Sequence, residues 1–86
     1  MFIGLTRSGN SSYYCAELAA ICAWLVEHGY VSESAHSQYE YLRLRKAKSL
    51  LVVYHNGTIL MQGGDTAGPR QLFDSLISQG QTALPF

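Results

Sequence analysis

The apolar positions along the chain change their period near its middle. From 12 to 28 the sequence is rich in Ala and Leu, and Tyr14, Leu18, Ile21, Cys22 and Leu25 recur at i, i+4, i+7, i+8 and i+11, the stripe of a helix packed on one side. Asn10-Ser11-Ser12 offers N-cap side chains and Gly29 a left-handed C-terminal stop, so the pattern predicts a helix over 12–28. Its other side carries Ala16, Ala19, Ala20, Ala23 and Trp24 and leaves only Glu17, Glu27 and His28 as charged or titratable positions. A helix apolar most of the way round is normally covered on more than one side. Ala16, Ala20, Ala23 and Trp24 are therefore the candidate face for a protein partner or a homodimer, against the alternative that the alanines are simply good helix formers.

After a polar connector over 30–37 the period becomes two. Tyr39-Glu40-Tyr41-Leu42-Arg43-Leu44-Arg45 alternates strictly, and Leu50-Leu51-Val52-Val53-Tyr54-His55 runs into Asn56-Gly57 and then Thr58-Ile59-Leu60-Met61-Gln62. Asn-Gly between two such runs is a strong hairpin signal. Strands are expected at 39–45, 49–55 and 58–62. A glycine-rich turn over 63–69 then leads into a helix over 70–78, apolar at Leu72, Phe73, Leu76 and Ile77 and capped by Gly80. The tail 81–86 is either loose or docked through Leu84 and Phe86. The expected fold is α+β in the order α-β-β-β-α, one domain over 1–86, with a three-stranded antiparallel meander backed by helices.

A two-residue Asn56-Gly57 turn pairs Val53 with Leu60 and Tyr54 with Ile59. That register turns Leu50, Val52, Tyr54, Ile59 and Met61 toward the helices. Leu42 and Leu44 join that core if the loop around 46–48 is odd in length. The opposite face then carries Tyr39, Tyr41, Arg43, Arg45, Leu51, Val53, His55, Thr58, Leu60 and Gln62. This set is more apolar than a solvated sheet face requires, and it is the candidate binding surface.

Charge first argues against, then for, a nucleic-acid partner. The 86 residues contain six Lys and Arg against six Asp and Glu, 14% charged in all, well below the roughly 25% of an average domain. A polycation and an acidic nucleic-acid mimic are both excluded. Yet Arg43, Arg45, Lys46 and Lys48 fall close together, and the strand pattern aims Arg43 and Arg45 outward beside Tyr39 and Tyr41. A locally basic edge of this kind suits phosphate, and aromatic faces suit bases; the alternatives are a protein partner or a solvated edge guarded by charge.

The segment 39–78 resembles a repeat of the TATA-binding-protein type. The resembling residues are the basic strand and loop Tyr41-Leu42-Arg43-Leu44-Arg45-Lys46-Ala47-Lys48, the aliphatic Ser49-Leu50-Leu51-Val52-Val53-Tyr54, and Asn56-Gly57-Thr58-Ile59-Leu60-Met61-Gln62-Gly63 before a helix. The N-terminal substrate-binding domain of bacterial ribonuclease HIII is similar, with a helix ahead of its strands. The resemblance implies an open sheet face that holds duplex or RNA/DNA hybrid, with contacts at Tyr41, Arg43, Arg45, Lys48, Val53, Thr58, Leu60 and Gln62, and a full saddle only on dimerisation. Similar folds serve as protein-binding modules in toxin–antitoxin systems and small phage proteins, which is the second reading.

Catalytic and metal chemistry finds little to build on. Cys15 and Cys22 lie seven apart on the expected helix, a rise of about 10 Å, too far for a disulfide, and with His28 they lack metal-ligand spacing. They read as reduced core thiols. His36 reads as solvated; His55 is a conceivable general acid or base on RNA, but no second group is spaced to complete a site. Gly63-Gly64 and Gly68 ahead of a helix read as turn and cap, with Asp65 or Thr66 capping, rather than as a phosphate loop. No apolar run approaches the roughly 20 residues of a membrane span, and the first ten positions lack the regions of a signal peptide. A non-enzymatic, cytoplasmic binding protein without metal or cofactor is the resulting expectation.

Overall fold

The computed structural model describes residues 4–9 and 11–79. Along the chain lie β1 (Leu5–Arg7), β2 (Ser12–Cys15), α1 (Leu18–Glu27), β3 (Val31–Glu33), β4 (Glu40–Lys46), β5 (Ser49–Tyr54), β6 (Thr58–Gly63) and α2 (Ala67–Ser78). The strands form a six-stranded sheet in the order β1-β2-β6-β5-β4-β3, with every neighbouring pair antiparallel. The α+β class stands, and the meander of β4, β5 and β6 is its centre. The sheet has three more strands than the sequence pattern disclosed.

The helix expected over 12–28 is the largest departure. Residues 12–15 are a strand, in which Tyr13 and Cys15 are buried while Ser12 and Tyr14 point the other way, a period of two. Four residues are too few to show that period against the Ala-rich stretch that follows. Tyr14 therefore does not belong to the helical stripe, and Ser11 and Ser12 do not cap it; Asn10 lies outside the described residues. The helix starts at Leu18 with no side-chain cap. Its end is as expected: Gly29 has φ +95, its N–H reaches the Val26 carbonyl at 3.1 Å and the Tyr30 N–H reaches that of Leu25 at 3.1 Å, closing the last turn in a left-handed cap.

α2 begins earlier than 70. Asp65 Oδ1 accepts the N–H groups of Ala67 at 3.1 Å and Gly68 at 3.3 Å, so the donors of the first turn are taken by a carboxylate from the chain itself. The expected C-terminal cap at Gly80 and the docking candidates Leu84 and Phe86 lie outside the described residues.

The register of the central hairpin is shifted by one from the expected one. Val53 pairs with Ile59, Val52 with Leu60, Leu51 with Met61 and Leu50 with Gln62. The connection has three residues, His55-Asn56-Gly57: the Gly57 N–H bonds the Tyr54 carbonyl at 3.0 Å, Gly57 takes φ +100, and Asn56 Oδ1 accepts the Thr58 N–H at 3.0 Å. A turn followed by a left-handed glycine makes a three-residue loop, and one residue of slip exchanges the two faces. Leu51 and Val53 therefore face the helices, while Leu50, Val52 and Tyr54 face away. The β4–β5 loop is even, Ala47-Lys48, with Lys46 opposite Ser49 and Leu44 opposite Leu51, which keeps Leu42 and Leu44 on the core side.

Leu5, Tyr13, Cys15, Leu44, Leu51, Val53, Ile59 and Met61 of the sheet form one cluster with Ala20, Ile21, Cys22, Trp24 and Leu25 of α1 and Phe73 and Leu76 of α2. Both described helices thus cover the same face. Phe73 meets Tyr13 edge-on at 5.0 Å and Trp24 at 6.3 Å. The Tyr13 hydroxyl donates to Asp74 Oδ1 at 2.8 Å; burial, and then that carboxylate, push its pKa up to about 12. Cys15 on β2 and Cys22 on α1 carry thiols buried in this core, and burial raises each to about 11. They do not share a helix as expected.

The candidate partner face on α1 is divided by this packing. Ala20 and Trp24 are buried in the core, Ala23 is exposed, and Ala16 precedes the helix. The Ala-rich side lacks the continuous free surface that the stripe arithmetic implied, because Ala20 and Trp24 pack into the core and the helix starts only at Leu18.

Candidate binding face

The sheet face turned away from both helices is built in three rows by the register. One row runs Thr6, Tyr14, Thr58 at one side, with Tyr54 and Glu40 facing each other at the other. The next runs Ser12, Leu60, Val52, Arg43, Glu33, and the third Gln62, Leu50, Arg45, Val31. The middle of the face is thus aliphatic and hydroxyl-bearing, with tyrosines at one end and charges at the β3–β4 edge. Val52 and Leu50 are buried although they stand outside the helix-side cluster; Leu60 and Thr58 are half-buried; Tyr14 is 44% and Val31 66% exposed.

β5 makes this face possible. Leu50 to Val53 are apolar and buried without interruption, the pattern of a strand covered on both sides rather than the alternation of a half-solvated one. The same uninterrupted run carries no alternation to announce its own register, which is why the turn had to decide it.

The expected site residues separate into groups. Arg43, Arg45, Thr58, Leu60 and Gln62 do stand on this face. Val53, expected there, is fully buried on the helix side, as is Leu51. Tyr41 is the extra residue at the irregularity between Glu40 and Leu42, 38% exposed, its ring edge-on to His55 at 5.6 Å. Tyr39 precedes β4, and its carbonyl accepts the His55 N–H at 3.0 Å. Lys48 is exposed in the β4–β5 loop. Lys46 donates from Nζ to the His28 carbonyl at 2.8 Å and lies 5.6 Å from the Tyr30 ring centre, at the C-terminal end of α1.

Three of the four clustered cations, Arg43, Arg45 and Lys46, are therefore engaged within the fold. Arg43 forks onto Glu40, Nε to Oε1 at 2.7 Å and Nη2 to Oε2 at 3.1 Å, while Arg45 Nε meets Glu33 Oε2 at 2.7 Å. Two like-numbered pairs of opposite charge cancel on this face. In a regular strand residues three apart point to opposite faces; the irregularity at Tyr41 brings Glu40 round to the side of Arg43. Glu33 and Glu40 are the charged members of the site that sequence reasoning missed, beside Leu50, Val52, Tyr54 and Tyr14, which the register and β2 bring to it. Glu33 lay in a supposed connector, and Glu40 sat in an alternation that assigned it to the other side.

Glu40 organises its corner. Besides Arg43 it accepts the His36 N–H at 3.0 Å. The Arg43 guanidinium, and then the His36 amide, hold its carboxyl down at about 2. Because its folded value lies below the ordinary 4.5 of a glutamate, the contribution is complete above about 4.5 and disappears as pH falls toward 2. The His36 amide resonance is expected to titrate with a midpoint near 2, and Glu40→Gln to abolish that transition; a midpoint near 4.5 in the native protein would show the fork to be absent in solution.

His28, Tyr30, Lys46, Ser49, Asp65 and Leu72 line part of a cleft of about 290 Å³ at the junction of α1, the β4–β5 loop and α2. Lys46 and Asp65 are already bonded within the fold there. Among the described residues no three His, Cys, Asp or Glu side chains gather as metal ligands, and no helix is long and apolar enough to cross a membrane. Comparison of the chain with protein-family models, with curated proteins and with solved structures gave no match.

Proposed function

We propose that the protein is a non-catalytic binding domain that uses the helix-free face of its sheet to hold a protein partner. The observation that carries this reading is the combination on that face of an apolar and hydroxyl-bearing centre with two arginines already neutralised by Glu40 and Glu33. Specific protein interfaces are aromatic and apolar at the centre, with their charge at the rim, and the exposed Tyr14 with the half-buried Tyr54 and Leu60 gives that composition, while Leu50 and Val52 are buried and support it.

The resemblance of 39–78 to TATA-binding-protein-type repeats favours nucleic acid instead, and that reading depends on free cations. Affinity for a phosphate backbone grows with the number of phosphates that Lys and Arg neutralise. Here Arg43 and Arg45 would each have to give up a charge-assisted bond to a carboxylate, and Lys46 is held at a helix end. A small inhibitor or antitoxin-like protein, or a phage-type regulator, fits the neutral face better.

Leu60→Lys is the direct test, since Leu60 is half-buried outside the core cluster. The variant is expected to keep the native melting profile and to lose a protein cross-linked from a photoreactive residue at position 58 in the native host, while cross-linking from position 26 on α1 captures nothing. Duplex and RNA/DNA hybrid oligonucleotides are expected not to bind at physiological salt. Binding of any of them with a log–log salt slope near about −3, flattened by Arg43→Ala with Arg45→Ala, would replace the protein reading with the nucleic-acid one.

A further inference from the structure

At the β5–β6 turn end of the sheet, Gln38, Tyr39, Tyr54, His55 and Asn56 enclose a second cleft of about 190 Å³. Its walls are fixed from several sides. The His55 N–H bonds the Tyr39 carbonyl at 3.0 Å and the Gly57 N–H that of Tyr54 at 3.0 Å. Ser37 Oγ accepts the Tyr39 N–H at 3.3 Å, and the Tyr41 ring braces the His55 imidazole edge-on. Tyr39 itself is 68% exposed, more than a packing role in the fold requires of a tyrosine.

Composition selects the ligand. The lining holds three aromatic or heteroaromatic rings and two primary amides, and no Asp, Glu, Lys or Arg. The nearest ion pair, Glu40 with Arg43, is closed on itself. An anion finds no counter-charge, and neither does a cation. What the cleft offers is ring faces together with phenol, imidazole and amide groups, of which Asn56 Oδ1 is engaged by the Thr58 N–H. Ring faces stack planar groups of any sequence, and Asn and Gln amides match the donor–acceptor edges of nucleobases. The volume lies under the roughly 300–1,000 Å³ of pockets for drug-sized ligands, which limits the occupant to one ring system.

We propose that this cleft binds a single neutral, planar nitrogen heterocycle of the nucleobase class, stacked on the Tyr39 and Tyr54 side with its edge read by Gln38 and Asn56. The site shares Tyr54 with the sheet face read as protein-binding, but it does not depend on that reading. The ring can come from a free nucleoside or from a base in a single strand, and the two sources are told apart by what else is attached.

Titrate the isotope-labelled protein with adenosine, cytidine and uridine, then with benzyl alcohol as a ring without a nucleobase edge, and then with a single-stranded hexanucleotide. At least one nucleoside is expected to shift the amides of 38, 39 and 54–56 saturably, with a dissociation constant on the order of 1 mM. Benzyl alcohol should bind at least several-fold more weakly. Tyr39→Ala is expected to weaken nucleoside binding roughly tenfold, and Gln38→Ala to reduce the preference among the bases; both positions are exposed, so the amide spectrum elsewhere should stay native. A hexanucleotide no tighter than its nucleoside identifies a free small molecule as the source, and a much tighter one identifies a strand. No saturable shift from any nucleoside at about tenfold the expected constant, equal binding of benzyl alcohol, or unchanged binding in Tyr39→Ala overturns the proposal. A strand whose binding is weakened by Arg43→Ala with Arg45→Ala would also overturn the protein reading, whereas a strand held by the cleft alone, or loss of the cleft, would leave it standing.

Discussion

Phe73→Ala is expected to destabilise the protein by about 3–5 kcal/mol, the cost of a large buried aromatic deleted from a core that relaxes only partly. Phe73 is fully buried, and it is the residue through which α2, the β2 side of the sheet and α1 meet: Tyr13 is edge-on at 5.0 Å and Trp24 at 6.3 Å. Domains are stable by only about 0.05–0.15 kcal/mol per residue, so a change of this size removes a large part of the total for 86 residues. Urea denaturation followed by the fluorescence of Trp24, the single tryptophan, reads the effect from inside the same cluster. Gln71→Ala, at an exposed position of α2, is the control and should remain within about 0.5 kcal/mol of the parent. A loss below about 1.5 kcal/mol for Phe73→Ala would mean that α2 does not close the core.

Which parts of this arrangement could be read from the sequence follows from where local chemistry was decisive. The strands at β4, β5 and β6 were legible from alternation and from the Asn56-Gly57 dipeptide, and the end of α1 from Gly29, because each signal is a property of a few adjacent residues. The stripe Phe73, Leu76 and Ile77 marked α2. What failed was what neighbours across the sheet decide. β1, β2 and β3 have three, four and three residues, and strands that short exist only because a neighbour offers an edge to pair with: β6 to β2, β2 in turn to β1, and β4 to β3. Ser12-Tyr13-Tyr14-Cys15 has no sequence feature that separates it from the start of the helix.

The register error had consequences for the site. Asn-Gly is compatible with a two-residue turn and with a three-residue loop that ends in a left-handed glycine, and the continuous apolar run in β5 gives no vote between them. The slip exchanged Leu51 and Val53 for Leu50 and Val52, yet left an aliphatic face either way, so the existence of a candidate surface survived while its membership changed. Charge behaved differently. The equality of six cations and six anions is reproduced locally by Arg43 with Glu40 and Arg45 with Glu33, so neutrality is a property of the face itself and not an average over a basic hairpin and an uncharged remainder. That pairing moves the proposed partner from nucleic acid to protein.

Gly63→Ala is expected to destabilise by about 3 kcal/mol, whereas Gly64→Ala next to it should be nearly neutral. Gly63 has φ +94, a conformation that costs an L residue roughly 1–2 kcal/mol. A Cβ there would also land on the carbonyl oxygen of Lys48, with the Lys48 carbonyl carbon at 3.3 Å and the Leu50 nitrogen at 3.4 Å. These are backbone atoms and cannot swing aside. The same carbonyl accepts the Gly64 N–H at 2.9 Å, so relief by moving β6 away from β5 would also strain a hydrogen bond worth about 1 kcal/mol. The β4–β5 loop has little slack to lend, since Ala47 already sits at φ +53. At Gly64 the added Cβ would meet only the Lys48 side chain, at 3.7 Å, an ordinary contact with a flexible neighbour. For a domain of this size about 1 kcal/mol moves the melting temperature by roughly 4–8 °C, so Gly63→Ala should melt more than about 10 °C below the parent and Gly64→Ala within a few degrees of it. Equal melting of the two variants would show that the pair serves as a flexible turn, as the dipeptide alone suggests, and that the close approach of β6 to the Lys48 carbonyl does not fix the end of the sheet.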